Sequence, residues 1–177
     1  GVDIAPLRAS NCGFDVARAH VPAGETRRDF LRGMLGQPDA NSPIGWSPLF
    51  TERFAGQPFK SVAVSFTDSK GRHFQRRGEF VATATGVEGS LIYAVSALLR
   101  DEIEATGKAT FELDLLPAFS PERVLEELRH PRGSRSLSSH LKSRLHIDGI
   151  KAAMLYEQLT KEEMLDPVVL ARAMKAM

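Results

Sequence analysis

The chain has 177 residues, 42% of them hydrophobic and 25% charged, with a formal net charge of +1: a soluble globular sequence, long enough for one domain or two small subdomains sharing an interface. That balance gives no global electrostatic pull toward nucleic acid or an anionic membrane, and the longest apolar run, Leu91 to Leu99, is far too short to span a bilayer. Cys12 is the single cysteine, which excludes an internal disulfide and fits a reducing cytoplasm.

The first segment, "GVDIAPLRASN", shows neither a basic nor an apolar signal-peptide region. It opens without Met and in mid-pattern, so the chain is expected to be a piece of something longer. Val2 to Ala5 is a strand candidate, followed by turn residues at Asn11 and Gly13. Residues 17–45 are rich in Gly, Pro and charge and read as loop, with room for one short helix, Thr26 to Leu35. Ser47, Pro48 and Gly56 predict a two-turn helix with its N-cap, first residue and stop. "KSVAVSF" turns Val62, Val64 and Phe66 to one side, a half-buried strand. "TDSKG" is a turn at Gly71, "RHFQR" a second strand and "GEFVATAT" a third.

After Gly86 the positions Leu91, Ile92, Val95, Leu98, Leu99 and Ile103 repeat with helical period up to Gly107. "ATFELDLL" alternates Phe111, Leu113 and Leu115 with polar residues, as a strand with one wet face does. Everything beyond Pro117 reads as helix. Ser120-Pro121 starts one helix, Ser136 a second and Asp148 a third; Thr160 with Glu163 forms a capping box, and Asp166-Pro167 opens the last.

The stretch "EFVATATGVEGSLIYAVSALLRDEI" raises the question of a phosphate cradle, because strand, glycine turn and helix is the layout that binds nucleotides. The spacing here is Gly86-x-x-Gly89 with no third glycine, and the Lys and Ser/Thr of a P-loop are missing. Glu88, read as part of the first helical turn, would set its own carboxylate where a phosphate should go. The turn is therefore not expected to hold phosphate. Gly86 and Gly89 are expected to let the helix lie close to the strand, and Glu88 is either a dipole partner or a general base.

"RHPRGSRSLSSHLKSRLH" carries Arg129, Arg132, Arg135, Lys142 and Arg144 without an acid. It is a solvated face or a contact for an anionic cofactor or substrate; no aromatic residue interleaves the charges, which argues against nucleic acid. Ser138, Ser139 and His140 are neighbours on a helix and point apart, so no Ser–His pair is expected. The five histidines lack metal-ligand spacing, and no metal is expected. Cys12 reads as a small buried residue beside a glycine turn.

Four separated segments, "NCGFDV", "RFAGQPFKSVAVSF", "GEFVATATGVEGSLIYAVSALLR" and "PRGSRSLSSHLK", stand in one order. In that order they resemble the aminoacetone oxidase-like group of NAD(P)/FAD-dependent oxidoreductases, over residues 1–16 and 46–160; residues 17–45 depart from the group's pattern. The resemblance implies the substrate-side insertion domain of such a protein: a β-barrel-like part followed by a small helical subdomain, with the flavin-binding Rossmann-type domain of the same polypeptide as partner. It implies FAD as the cofactor of the parent, NAD(P)H as a candidate electron donor, a small-molecule substrate and a cytoplasmic location, and none of the FAD-binding residues in this chain. It also turns Thr85, Gly86, Gly89, Ser90 and Arg135 toward flavin and substrate, with Glu88 as a weak catalytic candidate.

The expected fold is thus α+β. A partial antiparallel β-barrel or curved sheet with one packed helix occupies residues 1–116, with 17–45 as a loop-rich insertion. A small all-α subdomain occupies residues 117–177. The alternative reading is a small barrel binding module whose basic helical arm meets RNA or a protein partner.

Overall fold

The computed structural model describes residues 12–16 and 45–177. The strand expected at Val2 to Ala5 and the helix expected at Thr26 to Leu35 lie outside the described residues. Five strands form one antiparallel sheet: β1 (Phe14–Asp15), β2 (Pro58–Thr67), β3 (His73–Ala82), β4 (Gly86–Glu88) and β5 (Glu112–Asp114). Their spatial order is β1-β4-β3-β2-β5, so among the described residues the sheet is open and does not close into a barrel. Among the described residues seven helices accompany it: α1 (Pro48–Phe54), α2 (Ser90–Thr106), α3 (Pro121–Arg129), α4 (Leu137–Leu145), α5 (Gly149–Gln158), α6 (Lys161–Leu165) and α7 (Pro167–Lys175). The fold is α+β.

The helix starts follow from local chemistry. The Ser47, Ser120 and Ser136 hydroxyls accept from the backbone N–H three residues on, Asp166 accepts from Val168 and Val169, and Thr160 with Glu163 completes a capping box. Gly107 ends α2 in the left-handed conformation at φ 84°. Asp148 occupies the cap position of α5, but its carboxylate makes no cap bond and instead pairs with Lys142 at 3.1 Å.

The sequence pattern predicts two strands between Arg72 and Thr85, and the structure has one. β3 runs unbroken through Gly78, pairing with β2 from Thr67↔His73 to Pro58↔Val81. Gly78 is not a break because its backbone is ordinary, and the space of its missing Cβ lies 3.4 Å from Leu91 Cδ1. That is an ordinary van der Waals distance, so α2 packs directly over this point of the sheet. At the far end of this hairpin, Asp68 accepts from Arg72 Nε at 2.5 Å, and Arg72 continues to Asp101 on α2 at 3.2 Å.

The main core joins sheet and helices. Phe59 and Phe80 stack at 4.7 Å between centroids, and the same cluster includes Val62, Val64, Leu91, Ile92, Leu115, Leu141, Leu145, Leu155 and Met174. Each such side chain removed from water contributes about 1.5–3 kcal/mol. Phe66, Val95 and Leu99 form a smaller cluster at the hairpin end of α2. One face of α2 is buried as its period predicted, while Ile103 is 38% exposed near its C-terminus.

Candidate functional site

The stretch read as a direct strand-to-helix turn contains a strand of its own. β3 ends at Ala82, and the chain reverses over Thr83–Thr85 into β4. The Thr83 N–H donates to the Gly86 carbonyl at 2.8 Å, and the Thr83 hydroxyl accepts from the Gly86 N–H at 2.9 Å. β4 then lies between β3 (Val81↔Glu88, Ala82↔Val87) and β1 (Phe14↔Val87, Asp15↔Gly86). Glu88 is therefore the last residue of β4 and not part of the first turn of α2, which contains no acidic residue. Long-range pairing holds it there, and Gly89, at φ 104°, turns the chain into the helix without a side-chain cap.

The two glycines have different reasons. Gly86 has no left-handed backbone, but a Cβ on it would stand 1.8 Å from the Phe14 carbonyl oxygen. Only a residue without a Cβ lets β1 lie so close on β4. Trp46 completes this packing by donating from Nε1 to the Gly86 carbonyl at 3.2 Å. Gly89 is needed for its dihedral, and its missing Cβ also lies 3.3 Å from Phe80 Cα.

Gly86 is buried, and its N–H and carbonyl are both engaged within the protein. Thr85, Glu88 and Ser90 are exposed. The Thr85 hydroxyl donates to Asp15 Oδ1 at 2.5 Å, and the Ser90 hydroxyl donates to the Glu79 carbonyl at 3.3 Å. Asp15 was not singled out in the sequence; its signal is visible only in the register, where it faces Gly86. Among the described residues the groups named at the corner are carboxylates and hydroxyls, suited to accepting protons and hydrogen bonds rather than to gathering phosphate. Cys12 is half-buried.

The second basic candidate is partly neutralised. Arg144 reaches Glu127 at 2.6 Å and Lys142 reaches Asp148 at 3.1 Å, whereas Arg129, Arg132 and Arg135 are exposed. Arg135 has a long contact to Ser143 Oγ at 3.5 Å. Ser138, Ser139 and His140 diverge. The Ser138 hydroxyl meets the Tyr156 hydroxyl at 3.2 Å, Ser139 meets Ser136 at 2.9 Å, and the buried His140 sets Nε2 against the Glu127 carbonyl at 3.1 Å. Among the described residues no three His, Cys, Asp or Glu gather as a metal site, and no helix is long and apolar enough to cross a membrane.

Residues 40–177 match the family model described as HI0933-like protein barrel and H2TH domain. The chain belongs to that family. Within this HI0933-like domain the matched residues take in α1, β2 to β5 and every later helix, and so both the corner and the basic segment. No curated protein matches the chain.

Proposed function

We propose that this chain is the substrate-side insertion domain of an FAD-dependent oxidoreductase of the aminoacetone oxidase-like kind, whose flavin-binding Rossmann-type part belongs to the same polypeptide. Membership of the HI0933-like barrel and H2TH family is the observation that carries the reading. The four ordered segments support it.

The residues of the corner do not fit the diphosphate of FAD. Gly86 spends its backbone groups on Thr83 and Trp46, Glu88 lies just ahead of α2, and no basic side chain stands between Thr85 and Ser90. In this reading the flavin is held elsewhere in the polypeptide and supplies hydride transfer with a small substrate, NAD(P)H serving as electron donor in the cytoplasm. This chain contributes a wall. Thr85, Glu88 and Ser90 turn their side chains to the substrate, Gly86 and Gly89 shape the backbone beneath them, and Glu88 is the candidate proton acceptor. Arg135 takes part from the helical side.

The test is to purify the full-length protein. A yellow protein that releases FAD on denaturation is the expected result, and bleaching by anaerobic NAD(P)H identifies the donor. Colourless full-length protein that takes up no FAD overturns the reading.

A further inference from the structure

Between α3 and α4 the chain runs His130-Pro131-Arg132-Gly133-Ser134-Arg135. Gly133 adopts φ 57°, and the Arg135 N–H returns to the Arg132 carbonyl at 3.2 Å, so the two arginines bracket one tight turn. α4 packs against α3 and brings Arg144, from its last turn, to the same place. Arg132, Arg135 and Arg144, with His130, Ser134 and His140, line an open hollow of about 450 Å³ that has no carboxylate in its lining.

These guanidinium groups have donors to spare. Among the described residues Arg132 has no side-chain partner, and Arg135 has only its long contact to Ser143. Arg144 uses Nη2 on Glu127, while its Nε is buried without a hydrogen-bond partner. An anion in the hollow would meet the exposed donors of Arg132 and Arg135, and hydrogen bonds between two charged groups are the strong ones. A second hollow of about 320 Å³ shares His130, Pro131 and Arg132 with the first, and its remaining lining is mainly apolar, with Leu128, Leu137, Met164 and Leu170.

We propose that the two hollows together bind a small organic phosphate. Its phosphate sits among Arg132, Arg135 and Arg144, whose planar forks match phosphate oxygens, and its organic part lies on the apolar lining beyond Arg132. A nucleic-acid strand fits less well: the lining has no Phe, Tyr or Trp to stack a base, and the chain carries a net charge of only +1. This site lies in the helical part; it shares Arg135 with the proposed substrate wall, but it is argued from the hollow alone and does not rest on the flavin reading.

The experiment titrates the full-length protein, saturated with FAD if it takes up flavin, with AMP, adenosine, inorganic pyrophosphate and a single-stranded RNA. AMP is expected to bind at least tenfold more tightly than either adenosine or pyrophosphate. The Arg132→Ala/Arg135→Ala protein should lose tenfold or more of that affinity with an unchanged melting temperature. Should the double variant melt early, Arg132→Lys/Arg135→Lys replaces it, keeping the charge while removing the forks, and severalfold weakening is then expected. Absence of AMP binding overturns the proposal, as does affinity unchanged by both variants. Pyrophosphate binding as well as AMP overturns the role of the apolar hollow, and tighter RNA binding with steep salt dependence overturns the small-molecule ligand. A colourless parent that binds AMP in this way would sink the flavin reading and leave this site standing.

Discussion

Glu157 holds Ser47 with both carboxylate oxygens. Oε1 accepts from the Ser47 backbone N–H at 2.5 Å and Oε2 from its hydroxyl at 2.7 Å, across 110 residues of sequence. The same hydroxyl accepts from Phe50 N–H at 3.2 Å, so one serine caps α1 and ties it to α5.

Removing this carboxylate leaves two donors without their charged acceptor. Glu157→Ala is expected to lower stability by about 2–3 kcal/mol, and Ser47→Ala by about 1–2 kcal/mol. The double variant should lose less than the sum, since both changes break one contact. Urea unfolding of the three proteins checks it; a loss under about 0.5 kcal/mol for Glu157→Ala would show that the clamp carries no weight.

At the corner, the overlap of a Cβ at Gly86 with Phe14 cannot be relieved by a side-chain rotation, because backbone meets backbone. Gly86→Ala should cost about 3 kcal/mol or more, or detach β1 from β4. Glu88→Gln, at an exposed position outside the helix, should change stability by less than about 0.5 kcal/mol. Turnover of the full-length protein then decides the proposed role: a well-folded Glu88→Gln enzyme at full activity would remove Glu88 from catalysis.

How far the sequence could be read depended on the range of the interactions. The caps at Ser47, Ser120, Ser136, Thr160 and Asp166 depend on residues within three or four positions, and all are found. Gly78 does not end a strand because pairing with β2 carries β3 through it, with Val62 opposite, a partner sixteen residues away. Glu88 was misplaced because the pairing of β4 with β1 spans the stretch from Phe14 to Val87. Asp148 shows both sides: its cap position was legible, but its partner Lys142 was not. The basic segment stood out in composition, whereas the hollow that gathers three of its arginines depends on how α4 packs on α3.

Acid should act in part through the hairpin tip. Burial works to raise the Asp68 carboxyl, but the Arg72 guanidinium and the backbone N–H groups of Arg72 and Lys70 outweigh it and hold it below its ordinary value of 3.8. Asp101 is likewise raised by burial and lowered more by Arg72 and Arg100. A carboxyl depressed in the folded state adds stability that is fully present above its unfolded value and is lost as pH falls through the lower folded value. Stability should therefore fall below about pH 4, and Asp68→Asn should be less stable at pH 7 yet show a flatter acid limb. Equal acid slopes in the two proteins would exclude Asp68 as a source.

Lys175 sends its ammonium to Asp114 Oδ2 at 2.7 Å and to the carbonyls of Leu116 and Phe119 at 2.9 and 2.7 Å. Lys175→Met keeps the apolar stem and removes all three donated bonds. It is expected to cost about 2–3 kcal/mol, the range for bonds to charged groups, read by thermal and urea unfolding. A neutral outcome would show that water replaces the ammonium without loss.

β5 is three residues long and takes β2 on one flank. On the other flank Leu113 exchanges both backbone hydrogen bonds with Met177, at 3.0 and 3.1 Å, and the Leu115 N–H meets the Met174 carbonyl at 2.8 Å. A bare strand edge offers its backbone to any passing chain, which is how sheets recruit one another into aggregates. Here the end of α7 and the residues after it act as a shutter over that edge. Loosening them, by heat or by substitution at Met174, would uncover a template for intermolecular pairing before the core around Phe59 and Phe80 opened. For this molecule the tendency to clump on warming should follow the seating of its last helix more closely than the melting of its sheet.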